Sequence, residues 1–318
     1  MKMALQFFGF VLASISVAYA ASLWNECPLP EEMTSCSCRW LLAPVISCNQ
    51  IKSQKDLQSN LEGLNGYGIH QLTLAGIRTS SVPDDLFKDL YVKQLVLDNW
   101  QVNNGPLSLG STPFSGLEKS LEELEIKNSF NTDSMLLNMK LSHLEKMKIA
   151  SFQDNNIPTI GNDCFANGPK TLQMLLLERC EIKELGDKVF HSLDNLMFIT
   201  VVGNHFNHVS RSMFPSPASH LRKMDLQYNK ISILPNDMFS EMPLLSEVNF
   251  SDNNIHVLDE GTWSDTLLCL ARLYFDGNPL QCDDSLKWVC SNRADIVVAK
   301  CVSPTAKNGL TVRQFCNK

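Results

Sequence analysis

A short segment of the pattern apolar-x-apolar returns nine times along the chain, at intervals of 23 to 29 residues. The alternation of side chains within each segment is typical of a β-strand that buries one face. A repeat of this length predicts a chain built from about nine similar units. The first apolar residues of the nine segments are Leu72, Leu95, Leu124, Met147, Leu175, Ile199, Met224, Val248 and Leu273.

An aromatic residue follows most of these segments at a fixed distance. In five repeats it comes 15 residues after the first apolar residue, at Phe87, Phe190, Phe214, Phe239 and Trp263. In the second and fourth repeats Phe114 and Phe165 come 19 and 18 residues on, and in the third repeat Met139 takes this place. We therefore expect a strand on one side of each unit and a longer return segment, with its aromatic residue, on the other.

A single unit of this size cannot bury its own apolar face, so neighbouring units must stack and share one core. Stacked parallel strands lie about 4.8 Å apart, and the wider return segments on the opposite side make the array curve. The pattern is that of a leucine-rich repeat. The predicted fold is an α/β solenoid, a leucine-rich repeat horseshoe of about nine repeats with a parallel concave sheet.

The repeat pattern calls for an asparagine or cysteine five residues after the first apolar residue, where its side chain bonds to the loop backbone. Cys180 occupies this position in the fifth repeat, and asparagines occupy it in the last four, at Asn204, Asn229, Asn253 and Asn278. In the first four repeats the position holds Ile77, Trp100, Ser129 and Phe152. The N-terminal half is therefore predicted to be irregular, with Asn155 as a candidate substitute in the fourth repeat.

The first twenty residues have the features of a secretory signal peptide. Lys2 precedes an apolar stretch, and Ala18-Tyr19-Ala20 is an A-x-A cleavage site. No later segment reaches the 18 or more apolar residues that a membrane span needs. The sequence therefore predicts a secreted, extracellular protein without a membrane span.

Eleven cysteines in a secreted chain are interpreted first as disulfides. Four lie ahead of the first repeat and four follow the last one, and each set of four allows three connectivities. The clusters resemble the cysteine caps of extracellular leucine-rich repeat proteins. That resemblance implies disulfide-bonded N- and C-terminal caps, with the pairs Cys27 with Cys38, Cys36 with Cys48, Cys282 with Cys301 and Cys290 with Cys316.

The predicted organisation is a signal peptide over 1–20, an N-terminal cysteine cap over 21–66, leucine-rich repeats over 67–280 and a C-terminal cysteine cap over 281–318. Three cysteines remain outside the caps, and their odd number leaves at least one thiol. Cys164 and Cys269 are several repeats apart, too far for a disulfide. A bond between Cys164 and Cys180 stays open. The favoured interpretation of a remaining thiol is a buried, inert cysteine, and the alternative is a bond to a partner chain, for which Cys269 is the main candidate.

Charge and motifs exclude several classes of function. The formal net charge of −7 and the pI near 5.5 argue against nucleic acid or an anionic membrane as the main partner. The nearest approach to a metal or catalytic motif is His205-x-x-His208 on a polar turn, and such a pair is more often exposed to solvent than metal-bound. We therefore expect a protein that is not an enzyme and has no cofactor or metal.

The predicted concave face offers one candidate partner-binding site. Its outward side chains in the fifth and sixth repeats form an apolar patch of Met174, Leu176, Phe198 and Val202. Polar and charged residues surround it, among them Glu123, Glu125, Lys127, Lys146 and Lys148 on one side and Lys223, Asp225, Gln227, Glu247, Asn249 and Ser251 on the other. An apolar centre with a polar rim is the usual anatomy of a protein-binding site.

Asn249-Phe250-Ser251 is the one glycosylation sequon in the chain. By register Asn249 points from the concave face, two strands from the patch. A glycan there would restrict the accessible surface to the middle and N-terminal strands. The alternative is that the sequon is unused because its backbone lies in a regular strand.

The cap cysteines, the length and the repeat, which is clearest from Leu221 to Phe239, resemble small secreted arthropod leucine-rich repeat proteins, a group that includes the non-catalytic subunit of decapod shrimp luciferase. The resemblance covers nearly all of the mature chain. It implies a non-enzymatic subunit that stabilises another secreted protein. The alternatives are an innate-immune protein that recognises microbial glycan or lipid, and a matrix or structural protein. The oligomeric state is left open.

Overall fold

The computed structural model describes residues 26–79, 82–83, 85–102, 114–129 and 141–317. Within them the chain forms a leucine-rich repeat solenoid built on a 12-stranded sheet. The first strand of this sheet pairs antiparallel with the second, and all later neighbours pair in parallel. The predicted signal peptide, residues 1–20, lies outside the described residues.

The order of strands across the main sheet follows the order along the chain, as stacking of consecutive units requires. These strands are β1 (Cys36–Trp40), β2 (Pro44–Cys48), β3 (Gly68–Ala75), β5 (Tyr91–Asp98), β7 (Glu123–Lys127), β8 (Ile149–Gln153), β10 (Met174–Glu178), β12 (Phe198–Thr200), β13 (Lys223–Asp225), β14 (Glu247–Asn249), β15 (Arg272–Tyr274) and β16 (Val297–Val298). Two separate parallel pairs are formed by β4 (Arg78–Thr79) with β6 (Gln101–Val102), and by β9 (Thr159–Ile160) with β11 (Glu184–Leu185).

Helices are short and lie mostly at the two ends of the described chain. The α-helices are α1 (Gln54–Glu62), α2 (Glu260–Cys269), α3 (Lys287–Cys290) and α4 (Val312–Cys316), and the 3-10 helices are Pro30–Glu32, Arg211–Met213, Asp284–Leu286 and Thr305–Lys307. The return segments between the middle strands are mainly turns, so α2 is the one α-helix among the described return segments of the repeats.

The strand register confirms eight of the nine repeat positions and corrects the fourth. Ala150, not Met147, pairs with Leu124 on one side and Leu175 on the other. Met147 is fully buried, but it lies three residues before Ala150, as Leu172 lies three residues before Leu175. The sequence pattern assigned Met147 as the first inward residue of this strand, although Met147 is the apolar residue that precedes the strand. Ala150 was overlooked because its side chain is small.

The corrected register makes the fourth repeat regular. Phe165 follows Ala150 by the 15 residues found in five other repeats, and Asn155 follows it by the five residues at which the repeat needs a polar side chain. Phe152 is an inward strand residue and is fully buried. The irregularity predicted for the N-terminal half is therefore confined to the first three repeats.

The aromatic residues of the return segments stack from one repeat to the next in the core. Ring centroids are 6.1 Å apart between Phe165 and Phe190, and 5.8 Å apart between Phe190 and Phe214. Near the C-terminal end Phe239 and Trp263 are 4.5 Å apart. Offset and tilted aromatic pairs at such distances stabilise a core beyond the area they bury. Met139, the predicted counterpart in the third repeat, lies outside the described residues.

Loop asparagines join neighbouring repeats through buried hydrogen bonds. The Asn204 amide nitrogen donates to the carbonyl oxygens of Leu177 and Val202, and its Oδ1 accepts from the backbone N–H groups of Cys180 and Ile182. Asn155 makes the equivalent contacts in the fourth repeat, where its Oδ1 accepts from the Ser129 backbone N–H. Each such side chain satisfies backbone groups of the preceding unit as well as its own.

In the third and fifth repeats, serine and cysteine take the place of the loop asparagine. The Ser129 hydroxyl donates to the Lys127 carbonyl and accepts from the Trp100 backbone N–H. The Cys180 thiol donates to the carbonyls of Phe152 and Glu178, at 3.2 and 3.3 Å. Serine and cysteine therefore each supply a donor and an acceptor here, because the Cys180 sulfur also accepts from Asn155.

Disulfides close both ends of the solenoid. The bonded pairs are Cys27 with Cys38, Cys36 with Cys48, Cys282 with Cys301 and Cys290 with Cys316, the same pairs that the cap resemblance implied. The open ends of a solenoid expose its core, and the terminal units cover it. At the N-terminal end α1 packs Leu57 and Leu61 into this core.

Candidate binding site on the concave sheet

Each strand of the nine repeats presents three side chains to the concave side of the solenoid. They lie one residue before, one residue after and three residues after the first inward residue, because successive side chains of a strand point to opposite faces. In β10, for example, the pattern from Met174 to Glu178 alternates between partly exposed and buried side chains. We call these 27 places the outward positions. They form three rows across the face.

The four side chains predicted to form an apolar patch lie close together among the outward positions. Met174 is the direct neighbour of Phe198, and Leu176 is the direct neighbour of Thr200, on β10 and β12. Val202 follows β12 on the same face, and all four apolar side chains are partly exposed. The structure thus brings the predicted residues onto two adjacent strands.

One further residue belongs to this group and was missed. Ile149 pairs with Met174 in the parallel register of β8 and β10 and is partly exposed. The 15-residue spacing of Phe165 from Ala150 was the signal that would have found it. From here on, the apolar patch means Ile149, Met174, Leu176, Phe198 and Val202.

The same correction removes two lysines from the predicted rim. Lys146 and Lys148 precede β8 and do not occupy outward positions, contrary to the prediction. The outward residues of this strand are instead Ile149, Ser151 and Gln153. Lys148 is exposed, and its Nζ lies 2.7 Å from Oε2 of Glu122, outside the concave face. The rim is consequently less basic beside the patch than the sequence indicated.

Several charges of the rim pair with each other. On β7, the Lys127 Nζ lies 2.8 Å from Oε1 of Glu125. Across β13 and β14, the Lys223 Nζ lies 2.6 Å from Oε1 of Glu247, and this contact raises the pKa of Lys223. Such partly exposed pairs contribute little to stability. In each pair, a carboxylate of the same face offsets the positive charge of the lysine.

Asp225 is the most buried ionisable side chain among the outward positions. It is 9% exposed and lies beside Thr200 of β12 and Asn249 of β14. Its carboxylate accepts from the backbone N–H and the side-chain amide of Gln227, both at 3.3 Å. Burial raises the pKa of Asp225 above its usual range, although the Gln227 backbone N–H, Lys223 and the Asn249 side chain favour the charged form.

The sequon asparagine has structural contacts of its own. Asn249 lies in β14 and is partly exposed. Its Oδ1 accepts from the Ser251 backbone N–H at 2.9 Å, and its side chain also bonds to Asp225. Attachment of a glycan to Asn249 stays a prediction.

The described residues contain no group of three or more histidine, cysteine and acidic side chains placed to hold a metal ion. His205 instead lies 3.1 Å from Oε2 of Glu181 at the exposed edge of two loops. Among the described residues, no helix is both long and apolar enough to span a membrane. Cys164 and Cys180 are buried free thiols, and Cys269 is an exposed one.

Comparison with known proteins agrees with this architecture. Residues 194–255 and 219–280 match the family model described as leucine rich repeat. Among solved structures, a chain in the complex of TLR13 with ssRNA13 is similar, with a TM-score of 0.59, 19% identity and coverage of 74% of this chain and 32% of that one. This chain therefore spans about a third of the length of that TLR13 structure's chain.

A second similar structure is an octameric complex of Latrophilin 3, Unc5D and FLRT2, in which FLRT2 supplies the leucine-rich repeats. The TM-score is 0.53 at 19% identity, and the match covers 77% of this chain and 80% of that one. At such identities the likeness concerns the fold. Residues 194–280 carry leucine-rich repeats recognisable from sequence, and the described chain has the leucine-rich repeat solenoid fold with disulfides at both ends.

Proposed function

We propose that this chain is a secreted, non-enzymatic scaffold that binds another secreted protein on its concave face. The observation that carries the proposal is the apolar patch, a group of partly exposed apolar side chains on neighbouring strands in the middle of a largely polar and charged surface. Large apolar side chains on a solvent-facing sheet cost solubility, so a contiguous group of them is typical of a binding site. Aromatic residues and methionine are enriched in such sites, and the patch contains both.

The finer proposal is that the chain is the non-catalytic, stabilising subunit of a secreted complex, of which a luciferase is one example. It is supported by the resemblance of the caps and repeats to secreted arthropod proteins of this class. The four terminal disulfides also suit an extracellular compartment. In this proposal residues 1–20 direct secretion, 21–66 and 281–318 cap the solenoid, and 67–280 present the binding face.

The proposal is tested by native purification of the secreted protein from its source tissue under non-reducing conditions, with mass spectrometry of whatever co-elutes. The recovered partner is then offered to recombinant protein carrying Leu176→Asp and Phe198→Asp. The matched control carries Thr73→Asp and Val96→Asp, which add the same charge at outward positions of the first two repeats. We expect a stoichiometric protein partner that binds the control and loses affinity for the patch variant.

Two results would contradict the proposal. If the partner binds the patch variant and the control equally well, the apolar patch is not the site. If the protein elutes alone and binds only microbial glycan or lipid, recognition of microbes replaces the scaffold function. Sequencing of the N-terminus of the secreted protein checks cleavage after Ala20.

A further inference from the structure

The charges around the apolar patch specify what kind of protein fits it, provided that the concave face is the binding site proposed above. We propose that the partner is a protein with a basic surface, which places apolar side chains on the patch and a lysine or arginine against Asp225.

The concave face is acidic as a whole. Of the 27 outward positions, seven hold acidic side chains and three hold basic ones, which gives the face a net charge of −4. The acidic residues are Asp98, Glu123, Glu125, Glu178, Asp225, Glu247 and Asp276, and the basic residues are Lys127, Lys223 and Arg272. More than half of the formal net charge of −7 therefore lies on this one face.

Internal pairing offsets two of the three positive charges of the face. Lys127 and Lys223 are held within 3 Å of Glu125 and Glu247, so their charge is directed at those carboxylates. Arg272, the third base, lies on β15, three strands from β12. An incoming surface thus meets acidic side chains on both sides of the apolar residues, and complementary charge on the partner would steer and orient the encounter.

Asp225 occupies a place where a cation would be bound strongly. It lies on the strand next to Phe198 and Val202, directly beside Thr200. Its donors are the backbone and side chain of Gln227, both at 3.3 Å, and the side chain of Asn249. The ammonium group of Lys223 lies 2.6 Å from Glu247. Burial keeps water from stabilising the carboxylate, so a charged donor from a partner would gain more here than at an exposed acid.

Glu178 provides a second acidic position at the opposite side of the patch. Glu178 lies three residues after the first inward residue of the fifth repeat, and Val202 lies at the equivalent position of the sixth repeat. It is partly exposed, and Nη1 of Arg179 lies 3.6 Å away. Arg179, however, is bonded to Asp154 through Nε at 2.6 Å. Glu178 and Asp225 therefore flank the apolar residues with negative charge.

The inference is tested with a displayed library of random cyclic peptides, selected on the recombinant full chain at physiological ionic strength. Peptides that also bind the Leu176→Asp, Phe198→Asp variant are discarded. The affinities of the remaining peptides are measured for Asp225→Asn and Glu178→Gln. The matched control is Glu184→Gln, which removes one negative charge at an exposed position of β11, outside the concave face.

We expect the selected peptides to combine lysine or arginine with large apolar residues. Their affinity should fall at least about tenfold for Asp225→Asn, fall less for Glu178→Gln because of its exposure, and stay unchanged for Glu184→Gln. Asparagine has nearly the shape of aspartate, and if Asp225→Asn nevertheless fails to fold, Glu178→Gln decides the test.

Two other outcomes separate this inference from the proposed function. Peptides that need Phe198 and Leu176 but are neutral or acidic, and bind Asp225→Asn and Glu178→Gln as well as they bind the original chain, would overturn the inference and leave the concave site standing. If no selected peptide depends on Phe198 and Leu176, the proposed function fails and the inference fails with it.

Discussion

The buried asparagine of the sixth repeat offers the sharpest test of how neighbouring units are held together. Replacement of Asn204 by alanine removes the acceptor of two backbone N–H groups, those of Cys180 and Ile182. It also removes the donor to two carbonyls, but the Leu177 carbonyl still accepts from the Val202 N–H and the Val202 carbonyl from the Arg179 N–H. The cost is therefore dominated by two donors left unsatisfied.

The expected loss follows from the burial of this site. Asn204 is 2% exposed, so water cannot replace its oxygen without a local opening of the loop. A buried donor without a partner costs about 1–3 kcal/mol, and two of them together cost about 2–6 kcal/mol of the free energy of unfolding. A loss of this size is a large fraction of the stability of an ordinary domain.

The assay is urea denaturation followed by circular dichroism, with the free energy of unfolding compared at equal slope. The matched control is Asn207→Ala, which removes an exposed asparagine from the same loop. Asn204→Cys adds a second comparison, because a thiol donates to the carbonyls but accepts poorly, so most of the loss should remain. If Asn204→Ala costs less than about 1 kcal/mol, the account of the two unsatisfied donors is wrong.

Two further predictions concern ionisable groups. In the folded protein at neutral pH a thiol reagent should label Cys269 alone, because burial raises the pKa of Cys164 to about 12 and that of Cys180 to about 11. Mass spectrometry should show three labels only after unfolding without reduction. Labelling of either buried thiol in the folded protein would contradict this prediction. The Arg179 guanidinium beside Asp154 lowers the pKa of that carboxyl, so its stabilisation is present above the ordinary carboxylate pKa and is lost as the pH falls through the lowered one. Both side chains are about half exposed, so Asp154→Asn should cost less than about 1 kcal/mol at pH 7 and nothing near pH 2, and denaturation curves at the two pH values check this.

Periodicity predicted most of the architecture because each repeat obeys the same two rules of burial. The inward residues of the strand and the aromatic residue of the return segment both face one core, so their spacing is visible in the sequence. The fourth repeat was misplaced by three residues where those rules compete. Met147 has the stronger apolar side chain, but the loop requires Asn155 and the core requires Phe165, and both place Ala150 at the start of the strand.

The candidate site was found only in part for the same reason. Met174, Leu176, Phe198 and Val202 lie in repeats whose register was correct, whereas Ile149 was hidden by the shift. The sequence alone could not predict the surroundings of Asp225, because they depend on Lys223 pairing with Glu247 on the next strand. Contacts between strands, unlike spacing within one strand, are set by the assembled sheet.

The alternation of inward and outward side chains along the strands has a consequence for how such a protein changes over time. Residues that determine folding and residues available for recognition alternate in the same short segments, for example Leu175 and Leu176 on β10. A substitution at a partly exposed outward position such as Leu176 alters the surface, while the inward Leu175 keeps its place in the core. The recognition surface can therefore diversify one residue at a time, and a protein of this fold can acquire a new partner through intermediates that all still fold.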